Sequence, residues 1–391
     1  MMMDVFILGA VRTAIGGFGG GLAGFTPAEL GAAVAREAIR RAEVSPDEVG
    51  HVVIGNVIPT GPQDAYLSRA IGLAAGIPKE VPALNVSRLC GSGAQAVVSA
   101  AQGIALGDGE VALAGGAECM SRAPHYLTTG RFGQKMGDAG LIDGLTGVLT
   151  DPFGSGIMGV TAENIAERWG FTREVQDAFA LESQRRAGMA MANGHFRDQI
   201  LPLEAQVGRK TVLVEQDEHP KPATTAEQLA KLPTVFKKGG TVTAGNASGV
   251  NDGAAAIILA SGKRARAGKP LARILGYAHA GVDPAIMGTG PIPAVRALLA
   301  RTGLKAEDFD VIESNEAFAA QALCVNRDLG LDPAKVNPDG GAIALGHPVG
   351  ATGAILVIKA LSYLQRTNTR KGLITMCIGG GQGIALAIER V

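Results

Sequence analysis

The chain has 391 residues, 47% of them apolar, and balances 36 basic against 36 acidic side chains. That length suits two or three domains, and the apolar content excludes a disordered chain. Zero net charge with one Trp and four Tyr gives no electrostatic or stacking case for nucleic acid or for an anionic membrane surface.

The chain opens Met1-Met2-Met3-Asp4 and runs straight into an apolar strand, Val5 to Ala10. It shows no basic or Arg/Ser-rich leader, so a cytoplasmic protein is expected. Thr26-Pro27-Ala28-Glu29 has the form of a capping box with proline at the first helical position, opening a helix to about Ala42. Val52 to Gly55 reads as a buried strand, and Asp64 to Ala75 as a helix stopped by Gly76 and Pro78. A short strand, Ala83 to Val86, leads to Cys90. Gly91 to Leu106 is a small-residue helix and Val111 to Gly116 a central strand. Alternating strands and helices predict an α/β fold with right-handed crossovers. No apolar stretch reads as a membrane span without polar interruption.

The rhythm breaks between Cys119 and Gly249. Helix signals return at Thr161 to Trp169 and Thr172 to Ala192, but glycines, methionines and charges mix elsewhere. This segment reads as an insertion over the core. Strand and helix then alternate again from Gly253. Pro270 to Tyr277, Phe309 to Glu313 and Gly372 to Cys377 read as strands. Ile292 to Thr302, Ala317 to Leu329 and Gly350 to Leu364 read as helices. The last segment repeats the first in element order, a weak internal duplication. The expected domains are 1–118 completed by 250–270, an inserted loop domain 119–249, and a second core domain 271–391.

Four cysteines are present, none in a CxxC pair, so neither a disulfide scaffold nor a metal site is expected. Cys119 and Cys324 read as small buried apolar residues. Cys90 sits where a strand meets a helix, before Gly91-Ser92-Gly93, and the helix N-terminus there favours a thiolate. His347, in Gly346-His347-Pro348, is the natural base for that thiol. His51, His125, His195, His219 and His279 are weaker candidates. Cys377 ends an apolar strand before Gly379-Gly380-Gly381 and suits a thiol acid/base for a carbon acid. Asn315-Glu316 follows a strand, where the pair can hold a water, serve an oxyanion or simply cap a helix.

Taken together, Ser87 to Gly93, Asn315 to Ala319, Gly346 to Pro348 and Cys377 to Gly379 resemble the thiolase family over nearly the whole chain. The resemblance implies a duplicated α/β/α/β/α layered core with an inserted loop domain that serves coenzyme A binding and oligomerisation. It implies an acyltransferase with no cofactor, coenzyme A being substrate and product, and a homotetramer or dimer. The acyl group would pass through Cys90, activated by His347, with Cys377 as acid/base. Two acetyl-CoA would condense reversibly to acetoacetyl-CoA and CoA. The alternative is cleavage of longer or functionalised 3-ketoacyl-CoA, and a remote one is a non-enzymatic acyl-CoA binding protein.

In the family, the histidine and a water held by the asparagine form one oxyanion hole, here His347 and Asn315. The backbone N–H groups of Cys90 and Gly379 would form the other. Ser248, Met158, Ala317 and Phe318 would line the substrate. Lys221 falls near a position where some members place an arginine by the nucleotide, and equally reads as a solvated loop charge. Arg122 to Leu145 resembles the loop used for tetramer assembly. Two positions depart from the common pattern. Ser87 stands where the family usually has Asn, and Ile157 where it often has a polar residue or histidine. Modest retuning of the acyl pocket is expected.

Overall fold

The computed structural model of the protein describes residues 4–391; Met1 to Met3, part of the chain start discussed above, lie outside the described residues. Nine strands follow one another across the main sheet. They are β1 (Val5–Arg12), β2 (Val49–Gly55), β3 (Ala83–Val86), β4 (Val111–Cys119), β5 (Asn251–Ser261), β6 (Ala272–Gly281), β7 (Val311–Ser314), β8 (Lys371–Ile378) and β9 (Gln382–Arg390). Their order is β7-β8-β9-β6-β1-β5-β4-β2-β3, and the short Gly16–Gly17 strand adds to β5. Within the sheet the halves join where β1 pairs β6, at Phe6↔Arg273 and Ile7↔Ala272.

The capping box forms as read. Thr26 accepts from the Glu29 N–H and Glu29 reaches back to the Thr26 N–H, starting α1 (Pro27–Arg41) with Leu30, Val34 and Ile39 buried. The other helices used below are α2 (Leu67–Ala74), α3 (Ser92–Leu106), α4 (Met158–Trp169), α5 (Arg173–Ala192), α6 (Pro291–Thr302), α7 (Ala319–Leu329) and α8 (Thr352–Thr367). Helices α3 and α8 pack on each other and touch strands of both halves. Helix α1 covers the first half from outside and α6 the second, which gives the five expected layers. By length and composition Leu89–Leu106 could cross a membrane, although Ser92, Gln95, Ser99 and Gln102 interrupt it. In the fold it is the turn before α3 and the core helix itself, apolar because other elements cover it.

The sheet is mixed rather than parallel. Strand β2 runs parallel to β3 and β4, and β7 parallel to β8, but β4-β5-β1 and β8-β9-β6 are antiparallel. Strand β9 follows β8 after only Gly379-Gly380-Gly381, too short for a crossover. Gly380 (φ +78°) and Gly381 (φ +83°) make that turn in the left-handed region.

The register makes the duplication residue-specific. The β2–β4 ladder ends at Gly55↔Gly116 and the β7–β8 ladder at Ser314↔Thr375. The next residues, Asn56 and Asn315, are therefore equivalent. Glu118 and Cys377, two places beyond Gly116 and Thr375, are also equivalent, and each faces a glycine across the sheet, Gly253 and Gly383. A Cβ on Gly93 would meet the Ala354 nitrogen at 2.8 Å, and one on Gly353 the Ala94 nitrogen at 2.2 Å. The two helices thus cross reciprocally at Gly93 and Gly353, a crossing only glycine permits. The same offset aligns Cys90 with Gly350 and Ser92 with Thr352.

The middle segment is tied to both halves. A fully buried Arg12–Asp217 pair, 2.7 Å apart, links it to β1, and Asp217 also accepts the Ile15 N–H at 2.8 Å. On α5, Ser183 donates to Glu316 at 2.6 Å. Its stretch 122–145 carries Phe132 and Met136 almost fully exposed, at 92% and 89%.

Candidate active site

The loops that leave the parallel strands of both halves converge where α3 and α8 begin. Just before α3, Leu89 adopts φ +44°, a left-handed conformation that costs a β- or γ-branched residue about 1–3 kcal/mol. This turn directs Cys90 toward β8. The backbone N–H groups of Gly379 and of Cys90 itself lie close enough to the Cys90 sulfur to favour its anion; they are the two donors read from the sequence as an oxyanion hole. Burial nevertheless outweighs them and raises the Cys90 thiol. The helix start favours the anion, but desolvation costs it more than the two donors return, so the sulfur keeps its proton until a base such as His347 removes it.

His347 lies 5% exposed. Its backbone N–H donates to Asn251 Oδ1 at 2.8 Å, and Gly346, at φ +102°, packs so tightly on Asn251 that no Cβ fits. Its Nδ1 lies 2.7 Å from Thr352 Oγ1, whose hydroxyl donates to the Pro348 carbonyl at 2.9 Å. With that hydroxyl proton committed, Nδ1 carries the ring proton and Nε2 presents its lone pair. Burial lowers the imidazole pKa to about 4, so it is a neutral base near pH 7.

Asn315 is fully buried, with Nδ2 3.4 Å from His347 Nε2. Its Oδ1 has no partner among the described residues. A buried amide oxygen left open beside an imidazole is where a water or a substrate oxygen would be met. Cys377 is fully buried, and its thiol is held far above its ordinary range, first by burial and then by Cys90. It is protonated at rest.

The residues read as substrate-lining adjoin this centre. Met158, Ala317, Phe318 and Cys377 share one buried cluster with Val242, Ala247 and Met287. Phe318 meets Phe236 edge-on with centroids 6.0 Å apart. Ala317 is a bend and Phe318 is extended, so α7 begins at Ala319 rather than at Ala317. The reason is a strand-like contact: Ala247 bridges Phe318, and Ser248 N–H donates to the Ala317 carbonyl at 2.9 Å. Ser248 is thereby fixed at the mouth. Lys221 is exposed on the rim, its N–H donating to Gln184 Oε1 at 2.7 Å. The neighbouring His219 packs against Gly249. Ile157 precedes α4 directly, beside Met158. Ser87 lies exposed.

Sequence reasoning missed Asn251, Thr352, Leu89 and Glu118. Thr352 had a signal, a hydroxyl five places after the histidine at a helix start. Asn251 and Glu118 had none, because each acts through a partner distant in sequence. Of the remaining histidines, His195 pairs with Asp339 at 2.9 Å, and burial lowers His219 and His279. Cys119 and Cys324 are buried as read, with thiols raised by burial, Cys324 to about 12. A large cleft of about 1170 Å³ lies at the opposite end of the sheet, among Glu110, Arg266, Arg301 and Lys371, and holds none of these residues.

A thiol, a neutral imidazole, a second thiol and two aimed backbone donors define a site for acyl transfer through cysteine. The sequence models of the thiolase N-terminal and C-terminal domains match residues 5–263 and 268–390. The beta-ketothiolase BktB of Cupriavidus necator is 55% identical over the full length of both chains. The acetyl-CoA acetyltransferase of Pseudomonas aeruginosa is 49% identical, again over both full lengths. The crystal structure of human mitochondrial 3-ketoacyl-CoA thiolase in complex with CoA superposes with a TM-score of 0.97 at 46% identity, covering 100% of this chain and 99% of that one. The chain belongs to the thiolase family and is an acyltransferase.

Proposed function

We propose that this thiolase reversibly condenses two acetyl-CoA into acetoacetyl-CoA and CoA through an acyl group on Cys90. The observation that carries the reading is the open Asn315 Oδ1 beside a neutral His347, across from the Cys90 sulfur under two N–H donors. His347 Nε2 takes the Cys90 proton as the sulfur attacks the thioester carbonyl. The N–H groups of Cys90 and Gly379 receive the developing oxyanion, His347 passes the proton to the departing CoA, which leaves as the thiol, and an acyl-cysteine remains. In condensation the Cys377 proton passes to His347, and the resulting thiolate takes the α proton of a second acetyl-CoA, whose enolate oxygen is met by the protonated His347 Nε2 and a water on Asn315. The α carbon attacks the acyl-cysteine, and the Cys90 sulfur departs with the His347 proton. In thiolysis the same steps run backward, with Cys377 protonating the leaving acetyl carbanion.

Ser248, Ala317, Phe318 and Met158 bind the thioester arm, with Lys221 at the nucleotide end. The nearly bare Phe132 and Met136 support assembly through the stretch 122–145 into a homotetramer, or a dimer, and the reading puts the protein in the cytoplasm. Mixing enzyme with acetoacetyl-CoA and no CoA is expected to label one Cys90 per chain, a mass increase lost in Cys90→Ser; unlabelled wild type would sink the reading. The relatives include a 3-ketoacyl-CoA thiolase, which favours longer substrates as the second reading. A kcat/KM for thiolysis that falls steeply beyond the acetoacetyl thioester supports the first reading, and a flat profile the second. Each methylene decides about 1–3 kcal/mol.

A further inference from the structure

The residue equivalent to Cys377 in the first half is Glu118, and no step above uses it. It is fully buried at the end of β4. Its Oε1 accepts the Asn56 amide at 3.0 Å and the Ile58 N–H at 3.0 Å, and its Oε2 the Val57 N–H at 2.9 Å and the Gly350 N–H at 2.8 Å. Three of these donors belong to the loop after β2. The fourth is three residues beyond His347 in the other half. Gly350 is pressed so closely on Glu118 and Asn56 that a Cβ there would lie 2.4 Å from Oε2, and a Cβ on Gly116 would lie 2.2 Å from the Gly350 carbonyl.

Burial pushes the Glu118 carboxyl up to about 8. All four neighbours are N–H donors; they pull against burial and hold the carboxylate in place. Other titratable groups nearby are Asp252 on β5, Asp64 and Arg122 at the rim, and Cys377 and His347 across the crevice.

We infer that Glu118 is a positioning residue: it clamps the His347 loop onto the first half, so that the imidazole is held in register with the Cys90 turn. The inference rests on the acyl-transfer reading, and the test has an arm that needs no turnover. That arm is hydrogen–deuterium exchange of the 346–351 backbone in the full-length enzyme, followed by mass. In Glu118→Gln the amide N–H₂ faces two N–H donors, so this loop is expected to exchange at least tenfold faster. Thiolysis kcat is expected to fall tenfold or more, with KM for acetoacetyl-CoA within twofold. In Glu118→Asp the shorter side chain cannot reach all four donors, and exchange and kcat are expected between wild type and Glu118→Gln. Unmoved exchange at 346–351 in Glu118→Gln, or a wild-type kcat with only a lower Tm, would overturn the inference, whether or not Cys90 proves to be the acyl carrier.

Discussion

The two halves place different chemistry on the same scaffold. Where the first half has Asn56 and Glu118, the second has Asn315 and Cys377; where it has Cys90 and Ser92, the second has Gly350 and Thr352. Asn56 spends its amide on Glu118 and the Ala117 carbonyl, at 3.0 and 2.9 Å. Asn315 leaves its oxygen open. Ser92 donates to the Leu89 carbonyl at 2.7 Å and fixes the nucleophile turn, whereas Thr352 fixes the imidazole. One crossing of helices therefore serves a reactive thiol pair on one side and a saturated clamp on the other. Duplication supplies geometry; which polar atoms are left unsatisfied supplies function.

The sharpest break in that comparison is at the thiols. Cys90→Ala should lower turnover in both directions by at least about four orders of magnitude, the scale for removing a nucleophile. Cys377→Ala should cut condensation and thiolysis by about two orders or more yet leave Cys90 able to take an acetyl group from acetyl-CoA. Measuring acyl-enzyme by mass separates the two. If Cys377→Ala also fails to acylate, the thiols do not divide the work as proposed.

The asparagines come next. Asn315→Ala should lower kcat by about tenfold to a thousandfold, the range for losing an oxyanion partner, with little change in Tm, since its oxygen holds nothing in the fold. Asn56→Ala breaks two buried hydrogen bonds and should destabilise by about 1–3 kcal/mol. Equal effects of the two substitutions on kcat and on urea midpoint would mean the halves are less differentiated than their bonding indicates.

The imidazole predicts a pH signature. Its folded pKa of about 4 lies below the ordinary 6.5. Below pH 6.5 the unfolded chain takes up a proton that folded His347 refuses, so this contribution to stability is lost as pH falls from 6.5 to about 4. The total is roughly 3 kcal/mol at about 1.4 kcal/mol per pH unit. Glu118, raised to about 8, and Glu313, raised to about 7 by burial, work in the opposite sense over higher pH. The difference between wild type and His347→Gln in urea unfolding isolates the histidine: flat above pH 7, falling below 6.5. A flat difference throughout would mean the ring is not held neutral.

Much of this was legible in the residues. Period and capping gave the strands and helices to within a few positions, because apolar runs and Thr26–Glu29 are local signals. Cys90, His347, Cys377 and Asn315 were readable as candidates because each stands beside glycines or at the end of a strand. Register, antiparallel pairing and the reciprocal crossing were not. They depend on which strands meet after an insertion of 130 residues, and no local pattern encodes that. Glu118 was invisible for the same reason, since its meaning lies in Gly350. The thiol state of Cys90 is set by a helix start against desolvation, and only the helix start is visible in sequence.

The smallest expected effect tests the crossing itself. Ala in place of Gly within a helix normally adds up to about 1 kcal/mol of stability. At Gly353 the new Cβ would meet the Ala94 nitrogen at 2.2 Å and its Cβ at 2.8 Å. The nitrogen, and the Cβ whose place the backbone fixes, belong to α3, whose chain carries Cys90 four residues earlier and cannot swing aside as a long side chain can. Gly353→Ala should therefore lose about 1–3 kcal/mol despite its better propensity. Gly103→Ala in α3 is the control: its Cβ would meet only the Asp108 carboxylate, at 3.2 Å, and Asp108 can rotate, so that variant should be neutral or slightly more stable. If both variants behave alike in thermal unfolding, the helices are not locked at their glycines. The Cys90 and Gly350 turns would then be held by their loops alone. If Gly353→Ala also slows Cys90 acylation while Gly103→Ala does not, the crossing sets the distance between the two halves of the active site.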